Sequence, residues 1–148
     1  MKYFAYGSNM DAARMKERKI NYSSRQFALL PDFKLVFNKK AKDGDYSYAN
    51  IVQQSGEKVE GIIYELPETE LSKLDYFEGY PFQYKRIDII VQMNNRQIRA
   101  VTYIAQPDKT AEGLLPKKDY LTHLLAGKDL LSESYVEFLK KVPTLKVS

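Results

Sequence analysis

The sequence predicts an α+β fold in a single domain. About seven segments have the pattern of β-strands, and many of these follow one another along the chain, which favours antiparallel pairing. Four further segments have the pattern of helices. The chain has 148 residues, the size of one ordinary domain, and no repeat, low-complexity stretch or linker divides it. We therefore expect one domain that spans residues 1–148.

Seven short segments rich in aliphatic, aromatic and β-branched residues are predicted as strands: 2–6, 26–30, 34–38, 49–53, 59–65, 84–93 and 97–105. Pro31-Asp32 is a turn signal between the second and third segments, and Ser55-Gly56 lies between the next two, which we expect to pair with each other. The polar segment 39–46 is predicted to be a loop or hairpin tip. Asn94-Asn95 joins the last two strands, because asparagine tolerates the left-handed backbone of a tight hairpin.

Four segments are predicted as helices, each with its own boundary signals: 11–19, a helix opened by Pro67, 117–126 and 132–141. In the second helix, Pro67 suits the helix start, and Gly79 suits the position just after the end. Gly127 separates the last two helices, and Ser132 is the expected N-cap of the final one.

The composition excludes several kinds of site. There is no cysteine and only one histidine, His123, so disulfides, zinc–thiolate sites and cysteine nucleophiles are excluded, and little is left for a histidine-based metal site. The net charge of +4 comes from basic residues mixed with acids along the chain, so we do not expect binding to nucleic acid. No signal-peptide pattern and no long apolar stretch occurs, so we expect a cytoplasmic protein that does not enter a membrane.

Tyr6-Gly7-Ser8-Asn9 is a candidate anion-binding loop. It follows the apolar run Tyr3-Phe4-Ala5 and precedes a predicted helix. Glycine allows a ligand to approach the backbone closely, and consecutive free N–H groups at such a turn attract negative charge. An ordinary strand-to-helix turn would have the same sequence pattern.

Glu78 is the candidate catalytic acid or base. It lies in the last turn of its predicted helix, one residue before Gly79, where the helix dipole disfavours a carboxylate. If Phe77 and Tyr80 partly bury it, its pKa would rise and it would become a better general base. A surface glutamate in an acidic helix is the alternative.

Taken together, these segments resemble the γ-glutamylcyclotransferase (AIG2-like) family. The resemblance covers nearly the whole chain, and the ordered segments that carry it are Tyr3–Asn9, Asp32–Phe37, Val59–Tyr64, Leu74-Asp75 with Glu78-Gly79, Tyr84, Arg86, Thr102-Tyr103, Pro116, Tyr120-Leu121 and Gly127. It implies a compact mixed β-barrel with peripheral helices and a cavity at one end. It also implies conversion of a γ-glutamyl amide into 5-oxoproline and a free amine, without a metal or cofactor.

The resemblance further implies roles for individual residues. Glu78 would be the acid/base, and the γ-glutamyl group would be bound by the segment Tyr3, Phe4, Ala5, Tyr6, Gly7, Ser8 and Asn9, mainly through backbone N–H groups. Tyr103, Ala105 and Tyr120 would line the pocket, although core packing explains the two tyrosines equally well. Tyr84 and Arg86 could brace the barrel or pair with an acid such as Asp75 or Glu78.

The partner predicted by this resemblance is a small γ-glutamyl compound, and the sequence leaves the leaving amine and the oligomeric state open. Asn9 favours the branch that acts on γ-glutamyl amino acids or amines over the glutathione-specific branch. An isopeptide or a secondary-metabolite amide is an alternative substrate. A non-catalytic module that binds a small carboxylate is an alternative of another class.

Overall fold

The computed structural model describes residues 1–146, so positions 147 and 148 of the predicted domain lie outside the described residues. Nine regular elements follow one another along the chain: β1 (Lys2–Ala5), α1 (Ala12–Glu17), β2 (Ser24–Lys40), β3 (Ser47–Glu65), α2 (Glu68–Glu78), β4 (Tyr84–Met93), β5 (Arg96–Ala105), α3 (Lys118–Leu125) and α4 (Glu133–Lys140). Short 3-10 turns lie at Ser8–Met10 and Pro107–Lys109.

The five strands form a closed barrel in the order β1-β3-β2-β4-β5. Neighbouring strands are antiparallel except at the closing seam, where β1 pairs with β5 in parallel through Tyr3 and Val101. The barrel is therefore mixed, and the four α-helices lie at its periphery. This confirms the predicted α+β class and the mixed barrel with peripheral helices.

The prediction of four separate strands between residues 26 and 65 was wrong. The chain instead forms two long strands, β2 and β3, which pair with each other along most of their length. The register shifts between Pro31, opposite Lys58, and Phe33, opposite Gln53. Asp32 takes a left-handed backbone with φ 61°, and its Oδ1 accepts the Gly56 N–H at 3.0 Å. The two turn signals thus form a bulge within a strand pair, in which the Asp32 side chain satisfies the Gly56 N–H.

The predicted boundaries of the other elements agree with the structure. Asn94 and Asn95 form the β4–β5 hairpin with φ of 53° and 61°, and Gly79 ends α2 with φ 66°. The Ser132 side chain accepts the Tyr135 N–H and caps α4. These signals act over a few residues, so they do not depend on the rest of the fold.

Close packing of β1 against β3 fixes the end of the barrel from which the Tyr6–Asn9 loop emerges. A Cβ atom on Gly61 would lie 2.5 Å from the Ala5 carbonyl oxygen and 2.6 Å from the Phe4 ring, so only glycine permits this approach. Across the closing seam, the Thr102 hydroxyl donates to the Phe4 carbonyl at 2.7 Å. The Tyr6 hydroxyl donates to the Tyr103 carbonyl at 2.6 Å. The loop is therefore tied to strands on both sides.

Within residues 1–146, none of the helices has the length and apolar character required to span a bilayer.

Candidate active site

Two adjoining cavities lie at the end of the barrel from which the Tyr6–Asn9 loop emerges. The inner chamber has a volume of about 40 Å³, and the outer cavity has a volume of about 510 Å³. Ser8, Glu78, Tyr84 and Tyr120 line both. These four residues therefore mark the junction, and a ligand that occupies both cavities must pass beside the Glu78 carboxylate.

Most of the residues predicted for the site meet at the inner chamber. Its lining includes Tyr3, Tyr6, Gly7, Ser8, Asn9, Glu78, Tyr103 and Tyr120. Phe4, Ala5 and Ala105 do not line either cavity. Phe4 and Ala5 are buried in the core, and the Ala105 N–H is already used in a hydrogen bond to Asn50 Oδ1 at 2.9 Å.

The Tyr6–Asn9 loop lines the chamber and, within the part of the chain that the structure describes, leaves two of its backbone N–H groups unpaired. The carbonyls of Gly7 and Ser8 accept the N–H groups of Met10 and Asp11, each at 3.1 Å, and so form a 3-10 turn. Among the described residues, the N–H groups of Gly7 and Ser8 make no hydrogen bond. A Cβ atom on Gly7 would lie 3.2 Å from the Tyr120 hydroxyl oxygen, so a larger residue would crowd the chamber. The loop can therefore bind an anion or an oxyanion through these N–H groups.

Asn9 is buried beside Glu78 and orients its carboxylate. Its Oδ1 accepts a hydrogen bond from Arg18 at 2.8 Å, whereas its Nδ2 donates to Glu78 Oε1 at 3.2 Å and to the Tyr3 hydroxyl at 3.0 Å. Because a guanidinium group can only donate, Oδ1 must face Arg18 and Nδ2 must face the carboxylate. The amide thus has one defined orientation and connects Arg18 to Glu78.

The pKa of Glu78 is raised above its ordinary value, mainly because burial disfavours the charged carboxylate. The positive charges of Arg18, Arg14 and Lys39 oppose this rise. Sequence reasoning attributed the burial to Phe77 and Tyr80, but these side chains are 42% and 37% exposed. The enclosure instead comes from distant segments of the chain that line the chamber.

Two tyrosine hydroxyls can donate to a ligand in the chamber. Tyr120 accepts the Ala49 N–H at 3.0 Å, and Tyr3 accepts from Asn9. Each keeps its own O–H proton free of other partners among the described residues. Burial raises the pKa of both, so both stay protonated at neutral pH. With the Gly7 and Ser8 N–H groups, they could stabilise negative charge that develops on a carbonyl oxygen.

The C-terminal end of α2, which carries Glu78, is anchored to the barrel through Asp75. The Tyr103 hydroxyl donates to Asp75 Oδ1 at 2.6 Å, and Arg86 Nε lies 3.5 Å from the same oxygen. Arg86 therefore pairs with Asp75, one of the two acids considered from the sequence. The Tyr84 hydroxyl instead donates to the Ala49 carbonyl at 2.9 Å.

Sequence reasoning assigned no role to Arg14, Arg18 or Lys39, which line the outer cavity. A signal for the two arginines was present, because residues four apart lie on the same face of a helix. Lys39 was assigned to a polar loop, but it lies in β2 and is only 3% exposed. The sequence pattern of a polar segment could not reveal that burial.

Within residues 1–146, no group of three or more His, Asp or Glu side chains is placed to hold a metal ion. The Nδ1 atom of His123 lies 2.8 Å from Asp11 Oδ2. Asp11 also caps α1, so this contact connects α3 to the segment that follows the loop.

Comparisons with known proteins agree with this architecture. The family described as gamma-glutamyl cyclotransferase, AIG2-like, matches residues 3–122. The chain is 30% identical to the protein YkqA of Bacillus subtilis (strain 168) over 144 residues, which are 94% of this chain and 50% of YkqA. It thus spans only half the length of that relative. It is 27% identical to the gamma-glutamylcyclotransferase of Mus musculus over 146 residues, which are 95% of this chain and 77% of the mouse protein.

Solved structures show the same fold. A structure of a gamma-glutamyl cyclotransferase superposes with a TM-score of 0.88 and 26% identity, covering 99% of this chain and 90% of the other. The crystal structure of YkqA gives a TM-score of 0.86 and 27% identity, covering 97% of this chain and 55% of the other.

Proposed function

The chain belongs to the gamma-glutamyl cyclotransferase, AIG2-like family, and we propose that it converts a γ-glutamyl amino acid or γ-glutamyl amine into 5-oxoproline and the free amine. The observation that supports this most directly is the junction of the two cavities. There the Glu78 carboxylate, with its raised pKa, lines the same small chamber as the free N–H groups of Gly7 and Ser8. In this proposal the carboxylate acts as the base, and the two N–H groups form the oxyanion site.

In the proposed reaction, the substrate supplies its own nucleophile. Its α-amine attacks the γ-carbonyl carbon, a new C–N bond closes the five-membered ring, and the original amide C–N bond breaks. The enzyme must therefore hold the γ-glutamyl group in a bent conformation, which makes the attack effectively unimolecular. No protein nucleophile is required.

Glu78 transfers the protons in this scheme. It accepts a proton from the attacking nitrogen and then donates it to the leaving nitrogen, while the second proton lost by the α-ammonium goes to solvent. A raised pKa suits this double role, because the group must both accept and release a proton near neutral pH. The N–H groups of Gly7 and Ser8, with the hydroxyls of Tyr3 and Tyr120, stabilise the oxyanion between the two steps.

A non-catalytic module that binds a small carboxylate is the competing function. It would use the same N–H groups, but a half-buried carboxylate beside an anion site weakens anion binding. The position of Glu78 at the junction therefore favours catalysis.

Mass spectrometry of 5-oxoproline released from a panel of γ-glutamyl amides tests the proposal. The panel includes γ-glutamyl-alanine, γ-glutamyl-ε-lysine and γ-glutamyl-ethylamine. Glu78→Gln keeps the size of the side chain and its bond from Asn9 but removes the acid/base, so we expect kcat/KM to fall by about 10²–10⁴-fold. Glu68→Gln, at the exposed start of the same helix, is the control and should retain full activity.

Full activity in Glu78→Gln would refute the mechanism. Calorimetric binding of 5-oxoproline without turnover of any amide in the panel would instead support the carboxylate-binding module.

A further inference from the structure

Positive side chains without acidic partners gather on the outer cavity. Arg14 and Arg18 reach it from α1 and the residue that follows, and Lys39 and Lys42 reach it from the end of β2 and the next loop. Within residues 1–146, none of these four cations lies within 4 Å of a carboxylate oxygen. This cationic cluster, formed by Arg14, Arg18, Lys39 and Lys42, favours an anionic ligand in the cavity.

Lys39 is the strongest evidence that this cationic cluster binds a ligand. Its side chain is 3% exposed, and its Nζ donates to the Lys40 carbonyl at 2.7 Å. The rings of Tyr48 and Tyr84 lie 5.9 and 5.6 Å from the same atom. Burying an ammonium group without a carboxylate is costly, and neither a carbonyl nor two rings supplies a negative charge. Among the described residues, Lys39 therefore has no carboxylate in direct contact.

The electrostatic surroundings of Lys39 and Arg14 also indicate that negative charge is lacking near these cations. Burial lowers the pKa of Lys39, the positive charges of Lys42 and Lys109 lower it further, and the Glu78 carboxylate raises it by a smaller amount. The Nε atom of Arg14 is buried without a hydrogen-bond partner among the described residues. An anion in the outer cavity would relieve the charge repulsion among these cations.

The acids of the outer cavity cannot supply that anion. Glu78 lies at the junction and is held by Asn9. Asp43 is exposed and accepts the hydroxyl of Tyr46. Neither acid forms an ion pair with these cations, and Glu78 offsets only part of their charge from a distance, so an anionic ligand would supply the direct counter-charge.

We propose that the outer cavity is a subsite for the leaving amine and selects amines that carry carboxylates, with Arg14 and Lys39 as specificity-determining residues. This inference rests on the proposed function. If the γ-carbonyl group reaches into the inner chamber, which at about 40 Å³ is too small for the whole γ-glutamyl group, the leaving nitrogen lies at the junction beside Glu78, and the rest of the amine extends into the outer cavity. There its carboxylates meet cations from two different elements, so an amine with two carboxylates should be favoured over one with a single carboxylate.

Three substrates that differ in the charge of the leaving amine test the proposal. They are γ-glutamyl-ethylamine with no carboxylate on the amine, γ-glutamyl-alanine with one and γ-glutamyl-glutamate with two. We expect kcat/KM to rise along this series, by about tenfold or more per carboxylate, because hydrogen bonds to charged groups are among the stronger ones. The difference should appear mainly in KM, since the carboxylates bind equally before and during the reaction.

Two variants on different elements check the assignment. Lys39→Met and Arg14→Gln should each lower the ratio of kcat/KM for γ-glutamyl-glutamate to that for γ-glutamyl-ethylamine by about 10–100-fold. Arg14→Lys should restore part of the ratio. Arg14 is only partly buried and its side chain makes no hydrogen bond among the described residues, so its variant remains informative if Lys39→Met fails to fold. Lys16→Gln removes a charge from α1 outside both cavities and should leave the ratio unchanged.

Two results would overturn this inference while leaving the proposed function intact. One is equal kcat/KM for the three substrates. The other is an equal loss on all three in Arg14→Gln and Lys39→Met, which would show that these cations bind the carboxylate of the γ-glutamyl group itself. Absence of 5-oxoproline from every substrate would instead overturn the proposed function.

Discussion

The carboxylate of Glu78 lies where its charge is disfavoured, and the residues around it limit that effect without cancelling it. Asn9 donates one hydrogen bond to it, and Arg14, Arg18 and Lys39 lower its pKa against the larger effect of burial. A general base that must also act as an acid benefits from such a balance. Because burial outweighs these contacts, the ionised carboxylate of Glu78 destabilises the folded state.

Replacement of Glu78 should therefore change stability in a pH-dependent way. Below the ordinary pKa of glutamate, the side chain is protonated in both the folded and the unfolded state and costs nothing. As pH rises toward the higher pKa of the folded state, the unfolded chain ionises first, so the folded state loses stability. Above that window, Glu78→Gln should be more stable than the parent, by roughly 0.5–2 kcal/mol, the range of single stabilising substitutions.

Urea unfolding of both proteins between pH 4 and pH 8 measures this difference, and Glu68→Gln serves as an exposed control. A gain for Glu78→Gln that is largest at pH 4 and shrinks toward pH 8 would contradict the raised pKa.

At the level of elements, the end of α2 is held in place by a contact with β5. Asp75 lies one turn before Glu78, and it accepts the hydroxyl of Tyr103 while Arg86 approaches from β4. Gly79 then turns the chain out of the helix with a left-handed backbone. These contacts fix the direction in which the last turn of α2 presents Glu78 to the chamber.

Tyr103→Phe should loosen this attachment. The variant leaves Asp75 without its hydroxyl donor, which should lower the free energy of unfolding by about 1.5–3 kcal/mol because the lost bond involves a charged acceptor. We also expect a lower kcat, since Glu78 is positioned through the same helix. Chemical denaturation and 5-oxoproline release measure the two effects.

Ser72→Ala is a matched control for that experiment, because Ser72 is exposed on the same helix, lies outside both cavities, and likewise loses one hydroxyl. An equal effect of both substitutions would argue against the attachment through Asp75.

The elements that sequence analysis predicted correctly are those specified by nearby residues. Gly79, the Asn94-Asn95 pair and the N-cap Ser132 each define a boundary through their own backbone or side chain. The bulge between Asp32 and Gly56 was missed, because it depends on two turn signals 24 residues apart that meet only when β2 and β3 pair. Lys39 was missed for a related reason, since only the closed barrel buries it. The barrel was predicted from the resemblance of the ordered motifs to a known family, because hydrophobic periodicity alone does not distinguish a barrel from an open sheet.

At the scale of the whole molecule, the site depends on closure of the barrel. The pairing of β1 with β5 is limited to Tyr3 and Val101. The hydrogen bond from Thr102 to the Phe4 carbonyl adds a buried polar contact to this seam. The Tyr6–Asn9 loop continues directly from β1, so any displacement of β1 moves the N–H groups of Gly7 and Ser8 relative to Glu78.

Thr102→Val should therefore impair both stability and activity. The substitution keeps the shape of the side chain but removes its hydroxyl from a fully buried position, and the weakened seam should lower the free energy of unfolding by about 1–3 kcal/mol. Because the loop must hold its N–H groups within a narrow range of the oxyanion, we expect kcat to fall more than KM rises. Thr122→Val, on the exposed face of α3, should change stability by less than about 0.5 kcal/mol. Unchanged kcat in Thr102→Val, despite the expected loss of stability, would show that the loop keeps its position without this seam contact.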